Sequence, residues 1–349
     1  MMGRRLPRAT RAVGAVFGLA VAAIPATADA QADFFKGKTV TVAHTGGAGG
    51  GFAIYSRFLI KHLPKHIPGQ PTMVLQFMPG AGGINGMNYL YSVAPKDGTF
   101  LLMPTPGVEV APFLYPDRVK YDTTRIEWIG NVTQTQSYVT VWHTTGVRKW
   151  EDARNKEIVM GATGKGSETY VTPVLMNALL GTRFKVITGY KGIQSVDNAM
   201  EKGELFGRAG GWTGGRNKHF FESGRAKILV QVGAAKVATA WKGGHDISDV
   251  PLLIDLGKNE EERQILSLQS RVLSRPLAGP PGLSAERLKV LRGAFDRMIA
   301  DPAFVGELKA RNLEVIRPMN GPDTAAYVRS IATLPDKVKE RYRKAVLGR

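Results

Sequence analysis

Gly46-Gly47-Ala48-Gly49-Gly50-Gly51-Phe52-Ala53 is the stretch that decides the predicted fold. It follows residues 38–44, a β-branched run with strand character, and precedes residues 53–63, whose apolar side chains fall on one helical face. We therefore expect a strand, a glycine loop and a helix. Glycines leave backbone N–H groups uncovered, and the first turn of a helix carries partial positive charge. This favours an anion site at the loop; the alternative is a tight turn without a ligand.

The strand–loop–helix plan continues along the chain. Residues 72–77 and 99–103 have strand character, and each is followed by a loop rich in glycine or proline. Alternating strands and helices are typical of an α/β fold with mostly parallel sheets flanked by helices. Ligands bind such sheets at the carboxyl ends of the strands. We therefore expect the loops at residues 45–52, 78–86 and 104–107 to share one edge.

A second unit repeats this plan. A strand over residues 157–161 enters the loop 162–167, and a helix is expected over residues 168–180. Backbone N–H groups of this second loop are expected to face the first loop across a cleft. Residues between Leu253 and Ser270 have an irregular polar pattern, and a helix capped by Ser284 is expected further along the chain.

The chain is expected to pass between two lobes twice, near residues 134–137 and again near residues 270–273. The predicted organisation is a signal peptide over residues 1–30, lobe 1 over residues 31–135 and 265–349, and lobe 2 over residues 136–264. Two α/β lobes joined in this way leave a cleft that closes on a ligand by hinge motion.

The N-terminal residues have the signal-peptide pattern. Four arginines precede an apolar segment over residues 12–24, which is too short to span a bilayer comfortably, and Ala28-Asp29-Ala30 offers small residues for cleavage. We expect cleavage near Ala30 and a periplasmic mature chain that begins at Gln31. The pair Arg4-Arg5 leaves both the general and the twin-arginine export routes open.

Composition limits the possible functions. The 349 residues include no cysteine, which excludes disulfides, thiolate metal sites and a cysteine nucleophile. The formal net charge of +18 favours anionic ligands, although a solvated basic surface is the alternative reading. Nucleic acid is not expected as a partner, because the chain has an export signal and no basic run exceeds three residues.

Motifs for nucleotides, metals and catalysis are incomplete. The first loop is not a dinucleotide fingerprint, and Ser167-Glu168 stands where a phosphate-binding P-loop needs Lys-Ser/Thr. Ser167 is not in a G-x-S-x-G context, and the six histidines have no metal-ligand spacing. We expect no cofactor, no metal and no enzymatic activity. The competing interpretation is an exported α/β hydrolase that uses Ser167 or His44.

Six short motifs, in this order, carry a family resemblance: Gly49-Gly50-Gly51, Pro79-Gly80-Ala81-Gly82-Gly83, Ala94-Pro95-Lys96-Asp97-Gly98, Gly164-Lys165-Gly166-Ser167, Tyr190-Lys191-Gly192 and Asp249-Val250-Pro251. Together they resemble the substrate-binding proteins of tripartite tricarboxylate transporters, the Bug or TctC-like family. The resemblance covers essentially the whole mature chain. It implies a two-lobed, type II-like periplasmic binding protein, or Venus flytrap, that closes on a small organic carboxylate.

The resemblance also implies partners and a site. The receptor would act as a monomer and deliver its ligand to a permease with two integral membrane subunits; a sensor for a membrane signalling protein is the alternative. Backbone amides of the first loop would hold one carboxylate, partly through water, and the loop Thr163–Ser167 would hold the far end. The expected ligand-binding residues are His44, Gly49, Gly50, Gly51, Phe52, Ala53, Gly82, Thr105, Pro106, Thr163, Gly166, Ser167, Gly192 and Trp212.

Two positions depart from the family pattern. The family usually has Asp at the position of Ala53, and a bulky residue is common at the position of Gly46. Loss of the aspartate removes one partner for a ligand amine. We therefore expect a plain dicarboxylate or an aromatic carboxylate as ligand and not an amino acid.

Overall fold

The computed structural model describes residues 34–49, 51–134, 136–211, 214–240, 245–270, 272–311, 313 and 315–348, with only the backbone described at 51 and over 214–217. The expected signal peptide therefore lies outside the described residues, as do Gly50 and Trp212 of the predicted site. Within the described ranges, no helix combines the length and the apolar character needed to cross a membrane.

The described strands form two sheets. The first sheet contains β1 (Thr39–His44), β2 (Thr72–Phe77), β3 (Phe100–Met103), β4 (Glu127–Asn131), β10 (Pro276–Gly279) and β11 (Met319–Asn320). The second sheet contains β5 (Ser137–Trp142), β6 (Ile158–Gly161), β7 (Phe184–Ile187), β8 (Gly207–Gly211) and β9 (Ala226–Val232). The strand orders are β11-β4-β10-β3-β1-β2 and β7-β6-β8-β5-β9. We call each sheet with its packed helices the first lobe and the second lobe.

Both sheets are mixed, which corrects the expectation of mostly parallel sheets. In the first sheet β1 is parallel to β2 and β3, whereas β10 is antiparallel to β3 and β4. In the second sheet β6 is parallel to β7 and β8, whereas β5 is antiparallel to β8 and β9. A parallel neighbour requires a crossover connection within one sheet. The strands β5 and β10 instead arrive from the other lobe and enter their sheets in the opposite direction.

Helices cover the sheets. They are α1 (Gly51–His62), α2 (Ile84–Ser92), α3 (Ala111–Leu114), α4 (Glu168–Leu180), α5 (Ile193–Glu201), α6 (Gly214–Glu222), α7 (Glu260–Ser270), α8 (Ala285–Ala300), α9 (Pro302–Lys309), α10 (Gly321–Ala332) and α11 (Asp336–Leu347). Short 3₁₀ turns occupy Leu63–His66, Ala81–Gly83, His143–Thr145, Trp150–Arg154 and Leu253–Leu256.

The helix α7 shows that the prediction of irregular structure between Leu253 and Ser270 was wrong. Three glutamates occupy its first turn, where negative charge is favourable against the helix dipole. Its residues Ile265, Leu266 and Leu268 are buried. The acidic first turn made the segment look irregular in the sequence, although a short apolar face follows it. Burial of that face stabilises the helix.

Each lobe has its own apolar core. In the first lobe Val40 and Val42 of β1 are buried with Leu59 of α1 and Phe295 of α8. In the second lobe residues of β5, β6 and β9 pack with α4. Burying one such side chain contributes roughly 1.5–3 kcal/mol. Gly130 of β4 allows the close packing of the first core, because a Cβ there would collide with the ring of Phe295.

The C-terminal helix α11 packs on both lobes, against α3 of the first and α4 and α7 of the second. A shared apolar cluster joins these helices, with Leu114, Leu175, Ile265, Tyr342 and Val346 among its members. The strands of the two sheets divide along the chain as the predicted lobes do. The boundaries at 135/136 and 264/265 stay predictions, since α11 packs on both lobes.

Candidate functional site

A cavity of about 520 Å³ lies between the two lobes. The loops after β1, β2 and β3 form one wall, and the loops after β6 and β7 form the other. These are the carboxyl ends of parallel-paired strands, where α/β sheets bind ligands. The volume falls within the range of sites for small organic molecules.

Many of the predicted residues line this cavity, namely His44, Gly49, Phe52, Gly82, Thr105, Pro106, Thr163, Ser167 and Gly192. Two others, Ala53 and Gly166, are not among the wall residues, and the surroundings of Gly51 lie outside what the structure describes. Ala53 is fully buried on the core side of α1. The role of all these residues in binding stays a prediction.

The two lobes touch through glycines beside the cavity. A Cβ on Gly82 would lie 2.7 Å from the carbonyl carbon of Gly166, and one on Gly164 would lie 2.8 Å from the backbone nitrogen of Gly82. In the first loop, a Cβ on Gly47 would lie 2.6 Å from the carbonyl oxygen of Lys191. Larger residues would hold the lobes apart, so these glycines permit a closed arrangement.

The second loop is largely bonded within itself. The backbone N–H of Thr163 donates to the hydroxyl of Thr169 at 3.0 Å, and that of Ser167 donates to the carbonyl of Gly164 at 3.0 Å. The expectation that these two amides face the ligand unpaired is therefore wrong. Thr105 across the cavity is also engaged, since its hydroxyl donates to the carbonyl of Gly82 at 3.0 Å.

Several helices begin at the cavity wall. Phe52 lies in the first turn of α1, Glu168 begins α4, and Ile193 begins α5. Each helix start carries partial positive charge and backbone N–H groups without partners in the helix. Their convergence gives the cavity a potential that favours anions.

Arg275, just before β10, is the most informative wall residue that the sequence prediction missed. Its side chain is buried, and its guanidinium carbon lies 3.6 Å from the centre of the Phe52 ring. Nη1 donates to the carbonyl of Ser274 at 2.7 Å, while Nε has no hydrogen-bond partner among the described residues. Burial lowers the pKa of Arg275 to about 10, so the group stays charged at neutral pH. The sequence offered little signal, because Arg275 is one of two arginines, with Arg271, in a mixed segment of serines and apolar residues beside the predicted lobe crossing.

Arg208 and Asp197 form a buried ion pair on the second lobe's wall. Arg208 Nε lies 2.5 Å from Asp197 Oδ1, and both side chains are 1% exposed. Burial lowers the pKa of Arg208, and the carboxylate of Asp197 opposes that shift. The sequence showed a charged residue inside a predicted strand, but not its partner on α5.

Glu168 brings a further carboxyl group to the wall. Burial raises its pKa, while the hydrogen bond from the Ser137 side chain and the charges of Arg275 and Arg208 lower it. Its Oε1 atom has no hydrogen-bond partner among the described residues. The cavity wall therefore carries carboxyl groups even though position 53 is alanine and not aspartate. The reason given for excluding a ligand amine does not hold.

His44 ends β1 and is fully buried. Its Nδ1 lies 3.1 Å from the carbonyl oxygen of Met103, and its ring stacks on Phe52 with 5.3 Å between centres. Because a carbonyl oxygen only accepts, Nδ1 carries the proton and Nε2 carries a lone pair. Burial lowers the pKa of His44 to about 4, so the ring is neutral at pH 7.

Ser167 lacks the surroundings of a nucleophile. Its hydroxyl donates to the carbonyl of Gly164 at 2.6 Å and lies 2.7 Å from the hydroxyl of Thr169. A general base would have to occupy one of these positions to activate it. The described residues also contain no group of three side chains arranged to hold a metal ion.

These features define a two-lobed binding-protein fold with an interlobe cavity. Solved structures share it: the periplasmic binding protein BugD has a TM-score of 0.70 and 20% identity, covering 88% of this chain and 97% of that one. MatC from Rhodopseudomonas palustris with bound malate has a TM-score of 0.67 and 17% identity, covering 88% of this chain and 99% of that one. R. palustris Rpa4515 with adipate has a TM-score of 0.68 and 18% identity, covering 88% of this chain and 97% of that one.

No protein-family model and no curated protein sequence matches the chain. At these identities the structural likeness establishes the fold. The predicted two-lobed periplasmic-binding-protein fold is therefore confirmed, and the resemblance to Bug and TctC proteins is confirmed at the level of the fold.

Proposed function

We propose that this protein is an exported receptor that binds a small organic carboxylate between its lobes without transforming it. The observation that carries the proposal is Arg275, a buried guanidinium at the cavity wall whose Nε has no partner among the described residues. A buried charged donor without an acceptor is costly. A ligand carboxylate supplies both the acceptor and the opposite charge.

Two further features support an anionic ligand. The starts of α1, α4 and α5 converge on the cavity and favour negative charge there. MatC and Rpa4515, which share the fold, are described with malate and adipate bound, and both molecules are small dicarboxylates.

The contacts between the lobes support a receptor that closes around its ligand. The glycine contacts of Gly82 with Gly164 and Gly166 bring the two walls together, and the hydroxyl of Tyr115 donates to the carbonyl of Lys165 at 2.7 Å. Closure of this kind removes water from the ligand and strengthens its electrostatic contacts. We propose that the mature protein acts as a periplasmic monomer and passes its ligand to a membrane transporter with two integral subunits.

The binding proposal is tested with mature protein, residues 31–349. Native mass spectrometry of the protein as purified is expected to show a bound organic acid in a one-to-one complex. Isothermal titration then measures affinity for succinate, malate, adipate and benzoate. Arg275→Met is expected to weaken binding of the best ligand about 10- to 100-fold, because a charge-assisted hydrogen bond is lost.

Arg148→Met is the matched control, since Arg148 is exposed and lies away from the cavity. It should bind like the unmodified protein, and melting curves of both variants report whether the fold is retained. The proposal is contradicted when none of the acids binds, or when Arg275→Met retains full affinity.

A further inference from the structure

Three buried polar atoms on the cavity wall have no hydrogen-bond partner among the described residues: His44 Nε2, Glu168 Oε1 and Arg275 Nε. Unpartnered buried polar atoms are uncommon in folded proteins, and each one costs free energy. Their presence on the wall of one cavity indicates that a ligand completes them. The set consists of one donor, Arg275, and two acceptors.

The acceptor character of His44 is fixed by its other contact. Nδ1 donates its proton to the carbonyl of Met103 at 3.1 Å, so Nε2 has only a lone pair to offer. A carboxylate oxygen at this point would place two acceptors face to face. The atom that meets Nε2 must therefore carry a hydrogen.

His44 and Arg275 lie beside the same aromatic ring; because Gly46 covers Nε2 of His44, a ligand reaches that atom only when the first loop shifts. Both side chains contact the ring of Phe52, with 5.3 Å between the His44 and Phe52 ring centres and 3.6 Å from the guanidinium carbon to the Phe52 centre. Glu168 is close enough for its charge to raise the pKa of Arg275. The three unpartnered atoms thus belong to one neighbourhood and not to separate ends of the cavity.

The charge around His44 distinguishes a neutral donor from a cationic one. The positive charges of Arg275 and Arg57 disfavour a proton on His44. The same potential disfavours an ammonium group placed against Nε2, although Glu168 offsets part of it. A hydroxyl group donates one hydrogen bond without adding positive charge.

We infer that the ligand is a hydroxy acid, whose carboxylate binds Arg275 and whose hydroxyl donates to His44 Nε2. This inference rests on the proposed carboxylate receptor and adds the chemical class of its ligand. Glu168 is the second acceptor for a donor on the same ligand. His44 thereby acts as the residue that selects hydroxy acids over their deoxy analogues.

Isothermal titration with two matched series tests the inference: malate, succinate and aspartate, and mandelate, phenylacetate and phenylglycine. Within the series that binds, the hydroxy acid is expected to bind at least about tenfold more tightly than the deoxy acid and the amino acid, because the analogues leave Nε2 unpaired or add a cation. Equal or tighter binding of the deoxy or amino acid overturns the inference and leaves the receptor proposal standing. Binding of adipate or benzoate but of none of the six acids also overturns the inference, whereas binding of no acid in either set contradicts the receptor proposal itself.

The variant His44→Phe removes the acceptor and keeps an aromatic ring beside Phe52, while the carbonyl of Met103 still accepts from the N–H of Thr45. Its preference for the hydroxy acid over the deoxy acid is expected to fall to within about twofold, since one hydrogen bond sets that preference. His62→Phe is the control: His62 is also fully buried, but its Nε2 lies 3.4 Å from Glu307 Oε2 and its ring lies outside the cavity. A preference that persists in His44→Phe overturns the role of His44.

Discussion

The two walls of the cavity differ in whether their buried polar groups have hydrogen-bond or ion-pair partners. On the second lobe's wall, Arg208 is paired with Asp197, and the hydroxyls of Ser167 and Thr169 contact each other. On the first lobe's wall, Nε of Arg275 is left without a partner among the described residues, and so is Nε2 of His44. The second wall is thus largely complete before a ligand arrives, with Glu168 Oε1 as its exception. For the proposed ligand, we therefore expect affinity and selectivity to be set mainly by the first wall.

The largest expected effect comes from breaking the paired charges of the second wall. Asp197→Ala leaves Arg208 charged and buried, and the free energy of unfolding should fall by about 3–5 kcal/mol. Chemical denaturation measures this change. Glu222→Gln, which breaks the exposed pair of Lys218 and Glu222, is the control and should cost less than about 1 kcal/mol. Equal losses in the two variants would show that the second wall does not depend on its ion pair.

A buried carboxyl of the first lobe offers a contrast to Asp197. Glu109 accepts hydrogen bonds from the backbone N–H groups of Gly107 and Leu273 at 3.1 and 3.0 Å. Burial raises the pKa of Glu109 from 4.5 to about 7. The folded state therefore binds a proton that the unfolded chain has released between these values, and stability falls as pH rises through this window, by up to about 3 kcal/mol.

Glu109→Gln cannot ionise, so the difference in unfolding free energy between unmodified protein and variant isolates this effect. The difference should decrease from pH 5 to pH 8, with the unmodified protein losing its advantage. Urea titrations at four pH values measure it. Parallel stability curves for the two proteins would mean that Glu109 keeps an ordinary pKa in the fold.

A smaller effect is expected where the walls meet. A Cβ at Gly164 would lie 2.8 Å from the backbone nitrogen of Gly82, so Gly164→Ala should disfavour closure by about 1–3 kcal/mol and weaken ligand binding accordingly. Titration with the best-binding acid measures the loss. Gly306→Ala is the control, because a Cβ at Gly306 meets nothing within 4 Å. Unchanged affinity in Gly164→Ala would mean that the ligand-bound lobes do not meet at this point.

Local pattern predicted much of the fold. The β-branched run before the first glycine loop formed β1, the helix expected over residues 168–180 formed α4, and Ser284 caps α8 by accepting from the N–H of Arg287. These elements depend on periodicity and capping, which neighbouring residues determine. The directions of β5 and β10 depend on where the chain crosses between lobes, and no local pattern contains that information.

The site was predicted in outline but not in its chemistry. The glycine loops were placed correctly at the cavity, yet several of their glycines permit contact between lobes, as Gly82 and Gly164 do. The charged wall residues Glu168, Arg208 and Arg275 were missed. Their importance comes from burial and from partners distant in sequence, and a charged residue in a sequence is usually a solvated one.

The shared cluster beneath α11 determines how the molecule can open. Tyr342 is fully buried there, and its hydroxyl meets the amide of Gln269, whose oxygen accepts from Thr172 of the second lobe. Translating the lobes directly away from each other would expose Tyr342 and Val346 to water, which costs roughly 1.5–3 kcal/mol of free energy for each side chain. A rotation of the lobes about this cluster keeps both side chains buried. The last helix of the chain would then lie at the hinge axis, and the lobes would separate at the glycine contacts on the opposite side.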